Sequence, residues 1–103
     1  MATLEELNLL IEKATSIAGS QARLAEMLEL HKSNISQMKQ GVRKANWRIR
    51  GKLRAIAGED PAHAFIATMA EDLEGSEDED EKKAAESLAA ILAAFPDDRW
   101  RKR

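Results

Sequence analysis

Residues 21–41 read QARLAEMLELHKSNISQMKQG, and they are the most informative part of the chain for its fold. It places apolar residues at helical spacing on both sides of a short break at Glu29-Leu30-His31, so it predicts two short helices joined by a tight turn. Ala25 supplies a small side chain where the two helices approach each other. The apolar side chains predicted at their contact are Leu24, Leu28, Leu30, Ile35 and Met38.

The outward face of the second predicted helix, about residues 32–39, carries short hydrogen-bonding side chains. An exposed helix that is only solvated would more often carry Glu and Lys. The side chains found here can donate to base edges and phosphates of DNA. They are Lys32, Ser33, Asn34, Ser36 and Gln37. The pattern predicts DNA binding, and the alternative is a helical hairpin that has no ligand.

Residues 3–58 resemble the lambda-repressor-like (Cro/CI, or Xre) helix-turn-helix family. The pattern SxxxLAxxLxxxxSxISxxxxG is present from Ser20 to Gly41. The residues that match at the family's spacing are Gln21, Ala25, Leu30, Ile35, Met38 and Gly41. The chain departs from the family at Glu29, where glycine is usual. Glu29 must therefore adopt a positive φ, or the turn must adjust.

The resemblance implies that one group of side chains reads the major groove of DNA. These are Lys32, Ser33, Ser36 and Gln37. Gln21, at the start of the first helix of the pair, would contact a phosphate or a base. Asn34 and Lys39 could equally touch phosphates. His31 would either cap the second helix or contact the DNA backbone.

Positive charge is concentrated in the same half of the chain. Residues 1–58 hold ten basic and five acidic residues, whereas residues 59–103 hold six basic and thirteen acidic ones. A basic half suggests a polyanionic partner, and a merely solvated surface is the alternative. The resemblance places a phosphate clamp just after the second helix. Its residues are Arg43, Lys44 and Arg48. Trp47 is expected to be partly buried.

The rest of the chain predicts further helices. One begins after Thr3, which starts a capping box with Glu6. A fourth begins near Asn46, and a fifth follows Asp60, with proline at its first position. Residues 1–73 are therefore predicted to be an all-α, five-helix DNA-binding domain.

An acidic segment follows this domain. Eight of the eleven residues in 71–81 are acidic, and residues 74–80 are predicted to be a solvated linker. Residues 81–103 are predicted to be a self-association helix, ending near Phe95, and a basic tail. Its apolar stripe consists of Leu88, Ile91, Leu92 and Phe95. The stripe could cover a second subunit or fold back on the fifth helix.

Several function classes find no support in the sequence. The chain has no cysteine, and His31 and His63 lack metal-ligand spacing, so no metal or cofactor is predicted. No glycine-rich phosphate loop or catalytic triad pattern is present, so the protein is not expected to be an enzyme. The start of the chain is acidic, and the longest uncharged apolar run is short, which predicts a cytoplasmic protein.

Together these features predict a repressor of the type found in phages and bacteria. It would bind double-stranded DNA as a homodimer, with recognition helices in successive major grooves. The rival hypothesis is a protein-interaction regulator, such as an antitoxin-like or antirepressor-like module. In that case the acidic C-terminal segment would bind a protein partner.

Overall fold

The computed structural model describes residues 3–95, which form six α-helices and no strand. The chain is all-α over this range, as predicted. The helices are α1 (Leu4–Ala18), α2 (Gln21–Leu28), α3 (Lys32–Gln40), α4 (Trp47–Ile56), α5 (Pro61–Glu74) and α6 (Glu79–Ala93). The predicted basic tail from Pro96 onward lies outside the described residues.

Polar side chains at the helix starts explain most of these boundaries. The Thr3 hydroxyl accepts a hydrogen bond from the backbone N–H of Glu6, which confirms half of the predicted capping box. Ser20, Asn46 and Asp60 accept equivalent bonds at the starts of α2, α4 and α5. Each such cap satisfies a backbone donor that the helix itself cannot, and typically contributes about 1 kcal/mol.

The main core lies where α1, α2, α3 and α4 meet. Its fully buried side chains come from all four helices and include Ile11, Leu24, Ile35, Met38 and Leu53. The contact predicted between the two short helices is therefore present, with Leu28 and Leu30 at its partly buried margin. This packing fixes which side of α3 faces the protein and leaves the other side exposed.

A second layer forms where α5 packs between α4 and α6. Gly51 of α4 is buried, and a Cβ at that position would lie 2.4 Å from a ring carbon of Phe65. The absence of a side chain at Gly51 therefore lets the Phe65 ring sit directly on the backbone of α4. Arg50 also reaches α5, where it forms an ion pair with Asp72.

The connection between α5 and α6 is shorter than the predicted linker 74–80, because residues at both ends of that linker are helical. Glu74 belongs to α5, while Glu79 and Asp80 belong to α6, so residues 75–78 alone connect the helices. The Asp78 carboxylate accepts a hydrogen bond from the backbone N–H of Glu81. Acidic side chains in the first turn are favourable because they face the positive end of the helix dipole. Helix α6 therefore begins within the acidic run, two residues before the start that the sequence predicted.

The sequence left open whether the apolar stripe of α6 covers a second subunit or folds back on α5. Within one chain, the position of α6 shows the second arrangement. The helix folds back and packs along α5, with Ala85 buried in the contact. Leu88, Leu92 and Phe95 are half-buried, and the Phe95 ring meets the His63 ring edge-on at 5.2 Å. Ile91 remains 47% exposed. The four stripe residues therefore do not share one surface that is free for a partner.

The turn between α2 and α3 contains the departure noted at Glu29. Glu29 has φ 56° and ψ 41°, a left-handed conformation. Among residues 3–95 it is the one non-glycine residue with positive φ. The turn has not adjusted to avoid this conformation, so the glutamate carries the strain that glycine would avoid.

Replacing Glu29 with glycine should raise the free energy of unfolding by about 0.5–1 kcal/mol. Relief of left-handed strain exceeds the entropy that glycine adds to the unfolded chain. Urea denaturation measures the change. Glu29→Ala is the matched control, because it removes the same charge but keeps a Cβ. A gain for alanine equal to that for glycine would assign the effect to charge rather than to backbone conformation.

No helix within residues 3–95 has the length and apolar character needed to cross a membrane.

Candidate nucleic-acid interface

Helix α3 presents two unlike sides. Ile35 and Met38 are fully buried and anchor it in the core. Lys32, Ser33, Ser36 and Gln37 are all exposed, as predicted for the proposed reading residues. Asn34, which the sequence also placed on the exposed face, is instead half-buried, and like the half-buried Lys39 it lies at the margin of this surface. The buried anchors fix the rotation of the helix, so the exposed polar side chains are held on one defined side.

Gln21 joins this surface from the start of α2. Its side-chain amide nitrogen donates a hydrogen bond of 3.0 Å to the Ser36 hydroxyl. The bond connects two predicted site residues that lie fifteen positions apart in the sequence. It uses one of the two amide hydrogens of Gln21, and leaves the other donor and the amide oxygen for a ligand.

The segment after α3 returns to the same surface. The Arg43 guanidinium donates a hydrogen bond of 3.2 Å to the side-chain oxygen of Asn34. Arg43 and Lys44 are both exposed, and neither pairs with a carboxylate within residues 3–95. Two of the three predicted clamp residues therefore extend from the segment that follows α3.

Arg48, the third predicted clamp residue, lies in the first turn of α4. Its guanidinium carbon is 5.3 Å from the centre of the Trp47 ring, within the range of a cation–π interaction. Trp47 itself is half-buried and meets Phe65 edge-on, with ring centres 6.4 Å apart. The prediction that Trp47 is partly buried is confirmed, and its ring supports an exposed cation.

Two arginines of the basic stretch serve the fold instead of the surface. Arg50 pairs with Asp72, and Arg54 pairs with both Glu59 and Glu71. These side chains are largely shielded from solvent, and their charges are balanced by acids of the second half of the chain. The basic stretch from residue 39 to residue 54 therefore presents fewer positive charges to a partner than its sequence suggests.

Lys52 is an exposed cation that sequence reasoning did not assign to the site. It follows Arg48 by four residues on α4, so the two side chains lie on the same side of the helix. The helical spacing could have identified this pair. Separating Lys52 from Arg50 and Arg54 required knowledge of which carboxylates α5 brings to α4.

Two further expectations concern histidine and metals. His31 occupies the N-cap position of α3, but its side chain makes no capping hydrogen bond, so of the two roles left open for His31 the structure does not show capping, and the backbone contact stays a prediction. The part of the chain that the structure describes contains no group of three or more His, Cys, Asp or Glu residues arranged to hold a metal ion.

Comparisons with known proteins found no match for this chain among protein-family models, curated sequences or solved structures.

Proposed function

We propose that this protein binds double-stranded DNA sequence-specifically and represses transcription by occluding a promoter. The proposal rests on one observation: the exposed side of α3 is polar, and cations that pair with no carboxylate among residues 3–95 flank it. In this interpretation, α2 and α3 form a helix-turn-helix unit of lambda-repressor-like type, and α3 is the recognition helix. It would lie in the major groove, while Arg43, Lys44 and Arg48 would contact phosphates.

Side-chain chemistry assigns the two kinds of contact. Gln37 and Ser33 are exposed on α3 and can hydrogen-bond to base edges, and a glutamine amide suits the paired donor and acceptor of adenine. Gln21 and Ser36 are already hydrogen-bonded to each other, so the protein fixes their orientation before DNA binds. Preorganised side chains lose less entropy on binding.

The rival function is a protein-interaction regulator whose C-terminal acidic segment binds a partner. The ion pairs that Asp72 and Glu71 make with α4 weigh against it, because they commit acids of that segment to the fold. The exposed acids of α6 remain available to a protein partner. The two functions therefore differ most simply in whether the chain binds DNA at all.

Titration of a fluorescent random-sequence duplex at several salt concentrations separates the two functions. DNA binding predicts an affinity that falls linearly on a log–log plot against salt concentration, with a slope of about −0.9 for each phosphate contacted. The three clamp cations alone predict a slope steeper than about −2 for one subunit. No detectable association at the lowest salt concentration would favour the protein-interaction function.

Substitution of Gln37 by alanine tests the reading role of α3. Loss of a good base contact should lower affinity for a selected site by about 1–3 kcal/mol and leave affinity for random duplex nearly unchanged. Ser87→Ala is a suitable control, because Ser87 is an exposed polar residue of α6, a helix that makes no contact with α3. Equal losses on selected and random DNA for the Gln37 variant would refute base reading by this residue.

We also propose that the protein acts as a homodimer on a two-fold symmetric operator. Since α6 folds back on α5, self-association would use the apolar side chain that it leaves exposed, Ile91. Ile91→Asp should therefore weaken a dimer while preserving the fold. A two-fold dimer would bury the remaining exposed half of Ile91 in both subunits, which together contributes about 1.5–3 kcal/mol, so sedimentation equilibrium should detect the change.

Leu92→Asp is the matched control for this prediction. Leu92 is half-buried, so a charge there should loosen α6 from α5 and lower the thermal midpoint of unfolding. The Ile91 variant should keep the wild-type midpoint at concentrations where both proteins are monomeric. A wild-type protein that stays monomeric at high concentration would contradict the dimer but not the DNA-binding proposal.

A further inference from the structure

A groove of about 610 Å³ lies between the end of α2, the first half of α4 and α5. Its apolar lining includes Met27, Leu28, Trp47, Ile49, Phe65 and Met69. The volume falls in the range of pockets that hold small molecules. Because its lining comes from three helices, the groove is a product of the tertiary fold and is not visible in any one segment of the sequence.

The aromatic walls of the groove are held in place. Trp47 and Phe65 stand nearly perpendicular, with an angle of 87° between their rings. The Phe65 ring rests against the backbone at Gly51, where a Cβ would lie 2.4 Å from it. Because the two rings are at right angles, a flat apolar group can stack on the face of one ring while its edge contacts the other ring. Met27 and Met69 add adaptable apolar surface.

The charge around the groove is positive. Arg48 and Lys52 line it, are exposed, and pair with no carboxylate among residues 3–95. Among residues 3–95, Glu29 is the one acidic side chain of the lining. Arg48 is positioned over the Trp47 ring, so its guanidinium lies beside the apolar surface. An apolar surface with two adjacent cations is complementary to a small molecule that has a flat apolar body and one anionic group.

We infer that this groove binds a small aromatic carboxylate, stacked on Trp47 or Phe65 with its carboxylate at Arg48 and Lys52. The binding site does not depend on the proposed function. One consequence of ligand binding does rest on the proposed function. Because Arg48 is also a proposed phosphate contact, the ligand would compete with DNA for the Arg48 guanidinium.

The test uses 1-naphthaleneacetate as the probe and the uncharged 1-naphthaleneacetamide as its matched analogue. Trp47 and Trp100 are the two tryptophans of the chain. In the full-length Trp100→Phe variant, the remaining indole N–H signal in an NMR spectrum therefore belongs to Trp47. The titration is done without DNA, so its result is independent of the proposed function. We expect the acetate to shift this signal with a Kd below about 1 mM and the amide to bind about fivefold more weakly.

Arg48→Gln with Lys52→Gln should abolish the preference for the acetate and leave amide binding unchanged. Lys82→Gln with Lys83→Gln, which changes two exposed cations of α6, should leave both affinities unchanged. The inference is overturned if neither probe shifts the Trp47 signal at about 5 mM, or if the two probes bind equally. It is also overturned if removal of residues 96–103 tightens probe binding severalfold, since the groove would then belong to the chain's own C-terminal segment.

Discussion

Replacing Arg43, Lys44 and Arg48 together by glutamine should lower the affinity for every duplex by about 10²- to 10³-fold at 0.1 M salt. Each of these cations is exposed and has no carboxylate partner among the described residues, so each can displace a counterion from a phosphate. Removal of the three proposed phosphate contacts should also make the salt slope shallower by nearly three units. Sequence preference should survive, because phosphate contacts position the protein without reading bases.

A charge-matched control separates this clamp from a general effect of positive charge. Lys13, Lys82 and Lys83 are exposed cations on α1 and α6, and their replacement by glutamine changes the net charge by the same amount. This control should reduce affinity only slightly, through the long-range field. If both triple variants lose affinity equally, the clamp is not at Arg43, Lys44 and Arg48.

Alanine at Gly51 should destabilise the protein by about 1–3 kcal/mol, although alanine is the better helix former. The added Cβ would lie 2.4 Å from Cδ1 and 2.8 Å from Cε1 of Phe65, so the ring must move. Because Phe65 also contacts Trp47, the displacement disturbs the packing of both rings. Urea denaturation at a fixed protein concentration measures the loss.

The sign of this effect should reverse when Phe65 is alanine. With the ring absent, Gly51→Ala gains its helix propensity, about 1 kcal/mol, without a clash. The double-mutant cycle should therefore give a coupling free energy of about 2–4 kcal/mol between the two positions. A Gly51→Ala effect that is the same in both backgrounds would show that the close approach of Phe65 to α4 does not limit stability.

Local signals predicted most helix starts well because most of these starts have a nearby cause. Thr3, Ser20, Asn46 and Asp60 cap helices through their own side chains, and the hydrophobic spacing of α1 to α4 requires a core on one side. Positive φ at Glu29 was one of the two outcomes that the sequence left open for the turn, and it is the one that the structure adopts. These features depend on residues within a few positions of one another.

The features that sequence reasoning missed depend on contacts between distant segments. Whether Arg50 and Arg54 face solvent is decided by Asp72 and Glu71, which lie 22 and 17 residues away. The linker is an exception with a local cause: it was predicted too long because the acidic run was judged by its charge alone. Some acidic residues of this run lie in the first turn of α6, where their negative charge stabilises the helix.

The candidate site also combines features that are predictable from the sequence of one helix with features that depend on the packing of several helices. The exposed residues of α3 were identified from its amphipathic pattern, because burial of Ile35 and Met38 fixes the opposite side. The hydrogen bond from Gln21 to Ser36 and the groove beside Trp47 require the packing of α2 against α3 and of α4 against α5. Neither arrangement has a signature within one helix.

Selection of bound duplexes from a random pool determines whether the protein recognises a particular DNA sequence. The full-length protein should enrich one sequence motif, and a homodimer should enrich two inverted half-sites whose centres lie about one helical turn, 10–10.5 base pairs, apart. The enriched duplex should bind at least about 10³-fold more tightly than random duplex at physiological salt. Retention of DNA without enrichment of any motif, or no retention at all, would contradict sequence-specific recognition by α3.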